Sequence, residues 1–329
     1  RTPPASPIHI PNHKEEMDMR ISRRFPRFTA VGAASAALLF AGACGGGNVA
    51  TGPEEGGDGG GEKISIGMIA WDEDIAVTNL WKAVLEEKGY DVEIEEVDVA
   101  PTFQGLAEGD IDLYMDVWLP VTHESYWEEY GDGLEDLGAW NTNASLQLTV
   151  PSYVEDIDSI DDLKGEGDTF GGEIVGIESG AGLTSVTKED AMPAYGLEDE
   201  YELVESSTPS MLEALDTAVA DEEAIVVTLW HPHAAYDQYD LKDLEDPEGA
   251  MGAAEELKVA GRDGFSDDHP EVAEWMQAFE LDDEQLAGLL TKVRVENEDD
   301  PEKGAREWLS ENPDVLEAWM GDDAEGLEF

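Results

Sequence analysis

From residue 63 onward the chain alternates two hydrophobic rhythms. Lys63-Ile64-Ser65-Ile66-Gly67-Met68-Ile69 reads as a strand, and Ile75 to Glu87 carries apolar residues at helical spacing. Val92-Glu93-Ile94-Glu95-Glu96-Val97 alternates as a second strand. Pro101 to Ala107 opens a short helix, and Ile111 to Val117 makes a third strand. This βαβαβ order predicts a parallel sheet covered by helices, because parallel neighbours need a crossover that packs back on the sheet. A second block repeats the order. It has a strand at Glu173 to Ile177, a helix from about Leu183, a strand near Tyr201 to Val204, a helix from Pro209 to Val219 and a strand at Ala224 to Leu229. From Pro270 the pattern is nearly all helix, in four segments: Glu271 to Phe279, Asp283 to Val293, Pro301 to Ser310 and Pro313 to Met320. Two α/β blocks with a helical tail predict an α/β protein of two lobes with a cleft between them. At 329 residues the chain is long enough to bury such a core.

Before residue 63 the pattern changes. Ser22-Arg23-Arg24-Phe25-Pro26-Arg27 is followed by an apolar run, Phe28 to Ala43, and then by Cys44. A basic start, a short apolar segment and a small-residue exit have the layout of a secretory signal, and the run is short for a membrane span. The Arg pair resembles a twin-arginine signal, with Pro26 where an aromatic residue is usual. Ala41-Gly42-Ala43-Cys44 resembles a lipobox, with Ala41 in place of Leu, and predicts that Cys44 becomes the lipid-modified first residue. Residues 1–16 precede Met17 and Met19 and read as upstream sequence or an overlong start. Residues 1–43 are thus expected to be an upstream segment and export signal. Residues 44–62, rich in Gly, Asp and Glu, are expected to form a flexible tether from a lipid anchor on the outer face of the cell membrane. Cys44 is the only cysteine, which excludes an intrachain disulfide and a cysteine-based metal site.

Charge narrows the class of partner. The chain holds 18 Lys+Arg against 78 Asp+Glu, a formal net charge of −60. The export segment takes six basic and three acidic residues, which leaves 12 basic against 75 acidic beyond it. Such a surface repels nucleic-acid phosphates and anionic lipid, so nucleic acid is not an expected partner and the membrane is reached through the anchor alone. The acids are spread along the chain, as in Asp221-Glu222-Glu223 and Glu298-Asp299-Asp300, and read as the solvated face of a folded body. Life in high salt, where screening shortens their mutual repulsion, is the expected setting.

The carboxyl ends of strands in open α/β sheets are where small ligands bind. Here they carry an unusual set: Trp71 after the first strand, Trp118 at the end of the third, and Trp230 after Ile225-Val226-Val227-Thr228-Leu229. Trp81, Trp127, Trp140, Trp275, Trp308 and Trp319 read instead as core or surface aromatics. A quaternary ammonium has no N–H to donate, and aromatic faces attract its diffuse charge, each by roughly 0.5–2 kcal/mol. An anionic end has its own candidates. His123 stands five residues after Trp118, and Gly180-Ala181-Gly182-Leu183 lies between a strand and a helix, where backbone N–H groups bind anions. This turn is neither a Walker loop nor a full dinucleotide fingerprint.

These residues match a known family. Trp71-Asp72, Trp118-Leu119-Pro120-x-Thr122-His123, Gly180-Ala181-Gly182 and Val226-Val227-Thr228-x-Trp230-x-Pro232-His233 resemble the glycine betaine/proline betaine substrate-binding proteins of ABC transporters. Framing segments extend the resemblance from about Ile64 to Trp319: His123-Glu124-Ser125-Tyr126-Trp127, Val150-Pro151-Ser152-Tyr153-Val154 and Leu244-Glu245-Asp246-Pro247-Glu248-Gly249. The resemblance implies a two-lobed, type II-like periplasmic-binding-protein fold, each lobe a mainly parallel sheet flanked by helices, with the ligand in the cleft. It implies that Trp71, Trp118 and Trp230 form a prism around the ammonium head, and that His123 and the amides of Gly182 and Leu183 hold the carboxylate. Lobe 1 is expected to comprise residues 63–148 plus about 251–329, and lobe 2 residues 149–250. The implied role is capture of glycine betaine or a related compatible solute and delivery to an ABC permease and its ATPase, for osmoprotection. No catalytic residue, cofactor or metal is implied.

Other readings are weighed against this one. His231-x-His233, with His123, is a candidate zinc set of a metal-uptake lipoprotein, although two His flanking Pro232 more often pack a turn. A hydrolase needs a nucleophile elbow, and Ser179 in Ile177-Glu178-Ser179-Gly180 lacks the Gly two places before it. Asp72 and Asp74 as an acid/base pair are outweighed by a helix N-terminal role. A choline- or carnitine-preferring protein keeps the aromatics; choline itself needs no anion site.

Overall fold

The computed structural model describes residues 61–329. The expected export segment, Cys44 and nearly all of the tether lie outside the described residues.

The first block runs β1 (Lys63–Met68), α1 (Asp72–Glu87), β2 (Asp91–Glu96), α2 (Val99–Glu108), β3 (Leu113–Leu119), α3 (Glu124–Tyr130) and β4 (Leu134–Pro151). The second runs β5 (Glu173–Val175), α4 (Gly182–Val186), α5 (Met192–Tyr195), β6 (Glu202–Val204), α6 (Thr208–Asp221), β7 (Val227–His231), α7 (Ala235–Gln238) and β8 (Leu241–Asp243). Then come β9 (Glu255–Arg262) and the helices α8 (Phe265–Asp268), α9 (Pro270–Ala278), α10 (Asp283–Leu290), α11 (Pro301–Glu311) and α12 (Asp314–Met320).

The strand order is β2-β1-β3-β9-β4-β7-β5-β6, with β8 also on β4. β1 pairs in parallel with β2 and β3, and β5 in parallel with β6 and β7. Every residue of β1 after Lys63 is buried, as in a strand covered on both faces. The predicted βαβ halves are therefore present, but the sheet between them is antiparallel. β9 runs antiparallel to both β3 and β4. β4 has 18 residues: Leu134 to Ala144 face β9, while Ser145 to Thr149 face β7 and Thr149 to Pro151 face β8. One strand is thus shared by two groups of strands. The hydrophobic pattern missed β4 because its pairing with β9 shifts register three times, between Asp136 and Ala144, which breaks the two-residue period.

The helical tail folds back on the first block. Trp81 of α1 packs edge-on against Phe279 at 5.3 Å, and Phe279 packs on Trp319 at 4.9 Å and on Trp140 of β4 at 5.7 Å. Lys82 to Glu302 (2.5 Å) and Arg306 to Glu86 (3.1 Å) join α11 to α1 around that aromatic core. Five of the six tryptophans read as structural are buried, and Trp127 is half-buried. Among the described residues no helix is long and apolar enough to cross a membrane.

Candidate functional site

Three chain turns carry the aromatic walls. Trp71 is the residue before α1, in extended conformation (φ −104°, ψ 145°). The turn that presents it is tied by Asp74, whose carboxylate accepts from the Ile69 N–H at 2.7 Å and from the Thr78 hydroxyl at 2.9 Å. Trp118 lies within β3 on the same face as Asp116, two residues before it, and its indole N–H donates to both Asp116 oxygens at 3.2 and 3.1 Å. Trp230 lies within β7, and its indole N–H crosses to Glu73 Oε2 at 2.8 Å. Trp71 and Trp230 meet edge to face with ring centres 6.3 Å apart. A cis X–Pro bond follows each strand tryptophan: Leu119–Pro120 and His231–Pro232.

The three rings are 5 %, 2 % and 3 % exposed. With Glu73, Thr122, Leu146, Ile177, Ala181 and Leu183 they line one pocket. The pocket is tight, with room for only a small, compact molecule.

His123 does not line the pocket wall itself, but its neighbour Thr122 does, and its ring stacks on Trp71 at 5.7 Å and 17°. Its loop is closed on β3: the Trp118 N–H donates to His123 Nδ1 at 3.0 Å and the His123 N–H to the Trp118 carbonyl at 3.0 Å. Glu255 at the start of β9 holds the same loop, accepting from the Val121 and Thr122 N–H groups at 2.7 and 2.9 Å and from the Thr122 hydroxyl. Burial pushes His123 down to about 3, so the ring is neutral at ordinary pH. With Nδ1 accepting, the proton sits on Nε2, which is buried with no partner.

Gly182 starts α4, and its N–H and that of Leu183 belong to the first turn, which has no intrahelical acceptor. Leu183 lines the pocket; Gly182 sits beside it against the Thr122 loop. A Cβ on Gly182 would lie 1.9 Å from the Thr122 carbonyl oxygen, so a side chain there is incompatible with this approach. The Tyr126 hydroxyl donates to the Gly180 carbonyl at 2.9 Å and steadies the same juncture.

Sequence reading missed two carboxyls beside the rings, Glu73 and Asp116. Glu73, Asp74 and Asp116 are completely buried. Burial pushes Glu73 up to about 8, with the charges of Asp72 and Asp74 adding to it. Asp74 and Asp116 are raised well above the carboxylate range, by burial first and then by each other's neighbourhood: Asp116 acts on Asp74, and Glu73 on Asp116. Asp72 differs. Burial opposes its charge, but His233 and Arg294, the latter at 2.7 Å, outweigh burial and hold it low. Asp72 and Asp74 thus stand in the first turn of α1, in the helix N-terminal place read from the sequence, and both are buried. His231 bonds Asp243 at 2.7 Å while His233 takes the Ala235 N–H at 3.0 Å, so the two histidines serve separate networks. Among the described residues no group of three or more His, Cys, Asp or Glu is placed to hold a metal ion.

A pocket walled by buried aromatic rings from two α/β blocks, with an unused buried donor beside it, defines a two-lobed ligand-binding protein. The chain belongs to the family described as the substrate binding domain of ABC-type glycine betaine transport systems, whose model matches residues 62–311. It is 32% identical over 177 residues to the glycine betaine/carnitine transport binding protein GbuC of Listeria monocytogenes, a match covering 54% of this chain and 58% of that protein. The match therefore spans little more than half the length of that relative. Two solved structures are similar: the glycine betaine/L-proline-binding protein ProX of Borrelia burgdorferi and lactococcal OpuAC in a closed conformation with glycine betaine. The first is 35% identical with a TM-score of 0.75 over 81% of this chain and 99% of that one. The second is 30% identical with a TM-score of 0.73 over 79% and 99%.

Proposed function

We propose that this protein captures glycine betaine, or a closely related quaternary-ammonium compatible solute, and presents it to an ABC permease and its ATPase. The observation that carries this reading is the pocket itself: Trp71, Trp118 and Trp230, all buried, converge on one tight pocket. A trimethylammonium head offers no hydrogen-bond donor, so ring faces in a dry site are the chemistry that holds it, at about 0.5–2 kcal/mol each. The carboxylate of the same ligand is assigned to His123 Nε2–H and to the N–H groups of Gly182 and Leu183. A neutral imidazole donor suits this task at ordinary pH, because it needs no proton from solvent.

The lobe limits follow as part of the proposal: residues 63–148 with about 251–329 form the first lobe, and residues 149–250 the second. The change of partner along β4, from β9 to β7 after Ala144, supports a first crossing close to there. Trp71, Trp118 and His123 then face Gly182, Leu183 and Trp230 across the cleft. A ligand touching both sides stabilises the closed form by contacts the open form lacks, and the closed form is what the permease would recognise. Export by the Arg23-Arg24 signal and anchoring through a lipid on Cys44 complete the proposal. It makes the protein an extracytoplasmic lipoprotein of osmoprotection.

The test is a titration of residues 62–329 with glycine betaine, proline betaine, carnitine and choline, followed by tryptophan fluorescence. Glycine betaine is expected to quench or shift the emission and to saturate. Trp118→Ala is expected to weaken it roughly tenfold or more, the loss of one ring and its burial. Absence of saturable betaine binding, or unchanged affinity in Trp118→Ala, overturns the assignment.

A further inference from the structure

The pocket has a fourth kind of wall. Glu73 lines it together with the three tryptophans, is fully buried, and keeps Oε1 without a hydrogen-bond partner while Oε2 accepts from Trp230. An unsatisfied carboxyl oxygen in a dry aromatic pocket is costly unless a ligand answers it. A donor on the ligand would do so, but the head of a betaine has none; its positive charge would do so instead.

We propose that Glu73 is the charge-selecting residue of this pocket: ionised, it faces the cationic head of the bound solute, and binding expels its proton to solvent. The inference rests on the betaine reading above and deepens it. It explains why an acid stands where a cage would be complete with apolar side chains. The three rings already favour a trimethylammonium head over an uncharged head of equal size, and a carboxylate beside them adds to that preference. Glu73 lines the same pocket, where a low dielectric makes its charge count for more than it would in water.

The groups facing Glu73 settle the direction of the coupling. Asp72 and Asp74 precede and follow it on α1, Tyr114 faces it from β3, and Asp116 of the same strand comes close enough to share a carboxyl hydrogen bond with it. From β7 it receives the Trp230 N–H, a neutral donor. The cation of this region, Arg294, is bonded to Asp72 at 2.7 Å, and His233 lies 3.3 Å from the same carboxylate. His123, stacked on Trp71, is neutral. The surroundings of Glu73 are therefore acidic or neutral, and they keep its proton on, at about 8, in the empty pocket. A bound cation reverses the balance and lowers that value. The ligand-bound state then holds fewer protons than the empty state, so affinity rises with pH up to about 8 and levels off above it. In the steep region the slope approaches about tenfold per pH unit for one proton released.

The experiment is calorimetry of residues 62–329 with glycine betaine at pH 7, in buffers of differing ionisation enthalpy. The wild type is expected to release up to about one proton per ligand and to bind more tightly at pH 8 than at pH 6. Glu73→Gln keeps an acceptor for Trp230 and is expected to release none and to lose the pH dependence. A second ligand reads charge selection directly: tert-butylacetate has the shape of glycine betaine with carbon in place of the cationic nitrogen. The preference for betaine over it is expected to fall at least about tenfold in Glu73→Gln at pH 8. Proton-neutral binding by the wild type overturns the proposal without any variant and leaves the betaine reading standing. An unchanged preference in Glu73→Gln does the same. No betaine binding by the wild type at any pH overturns both.

Discussion

At the scale of single residues, His123 carries the sharpest expectation. It is neutral, its Nδ1 is occupied, and its Nε2–H is left without a partner, as is the indole N–H of Trp71. His123→Ala is therefore expected to weaken glycine betaine by roughly tenfold or more, the size of a lost hydrogen bond to a charged group. Choline, which has no carboxylate, is expected to change by less than about threefold. Parallel titrations of both ligands check this, and equal losses would remove His123 from the carboxylate end. Because His123 is pushed down to about 3, its contribution is also expected to stay constant from pH 5 upward. The tryptophans and His123 were legible in the sequence because rare residues at strand ends stand out against their background. Glu73 and Asp116 were not. Among 78 acidic residues nothing local distinguishes a buried carboxyl from a solvated one. The sole hint is spacing: Asp116 shares a strand face with Trp118, and Glu73 falls in the first helical turn after Trp71.

Among the elements, those with a regular period were readable and those without it were not. β1, β2, β3, β5 and β6 and the long helices α1, α6, α9 and α11 lie within a few residues of their predicted places. β4 and β9, which turn two parallel blocks into one mixed sheet, left no sustained alternation, and their pairing is decided by distant partners. The start of α4 is an element whose position matters more than its length. Gly182 approaches the Thr122 carbonyl so closely that an added methyl would overlap it. The two blocks can meet this way only over a glycine. Gly182→Ala is expected to leave the ligand-free protein folded, with its melting temperature within about 4 °C of the wild type, a change on the order of 1 kcal/mol. Betaine affinity is expected to fall by roughly tenfold or more, since closure is what the methyl obstructs. A normal affinity in this variant would show that closure tolerates a wider juncture.

For the whole molecule, charge matters most after packing. A formal net charge of −60 on 329 residues is a large self-repulsion, and its range shrinks from about 10 Å in 0.1 M salt to about 3 Å at 1 M. The melting temperature is accordingly expected to climb steadily from 0.1 M to 2 M sodium chloride, and calorimetric scans check it. Sucrose at equal osmolality is expected to reproduce only a minor part of the rise; if it reproduces all of it, exclusion from the surface rather than screening is responsible. Packing sets a different constraint. Eighteen residues of β4 are stitched into both groups of strands, so this seam belongs to neither block alone. A chimera that grafts one half of a relative onto the other half of this chain cannot be cut as if at a linker. The join divides a continuous strand, and each fragment would bring half of an edge that the other must complete. Recombination between relatives is therefore expected to succeed where the whole strand travels with one parent, and to yield unfolded protein where the cut falls between Ala144 and Ser145.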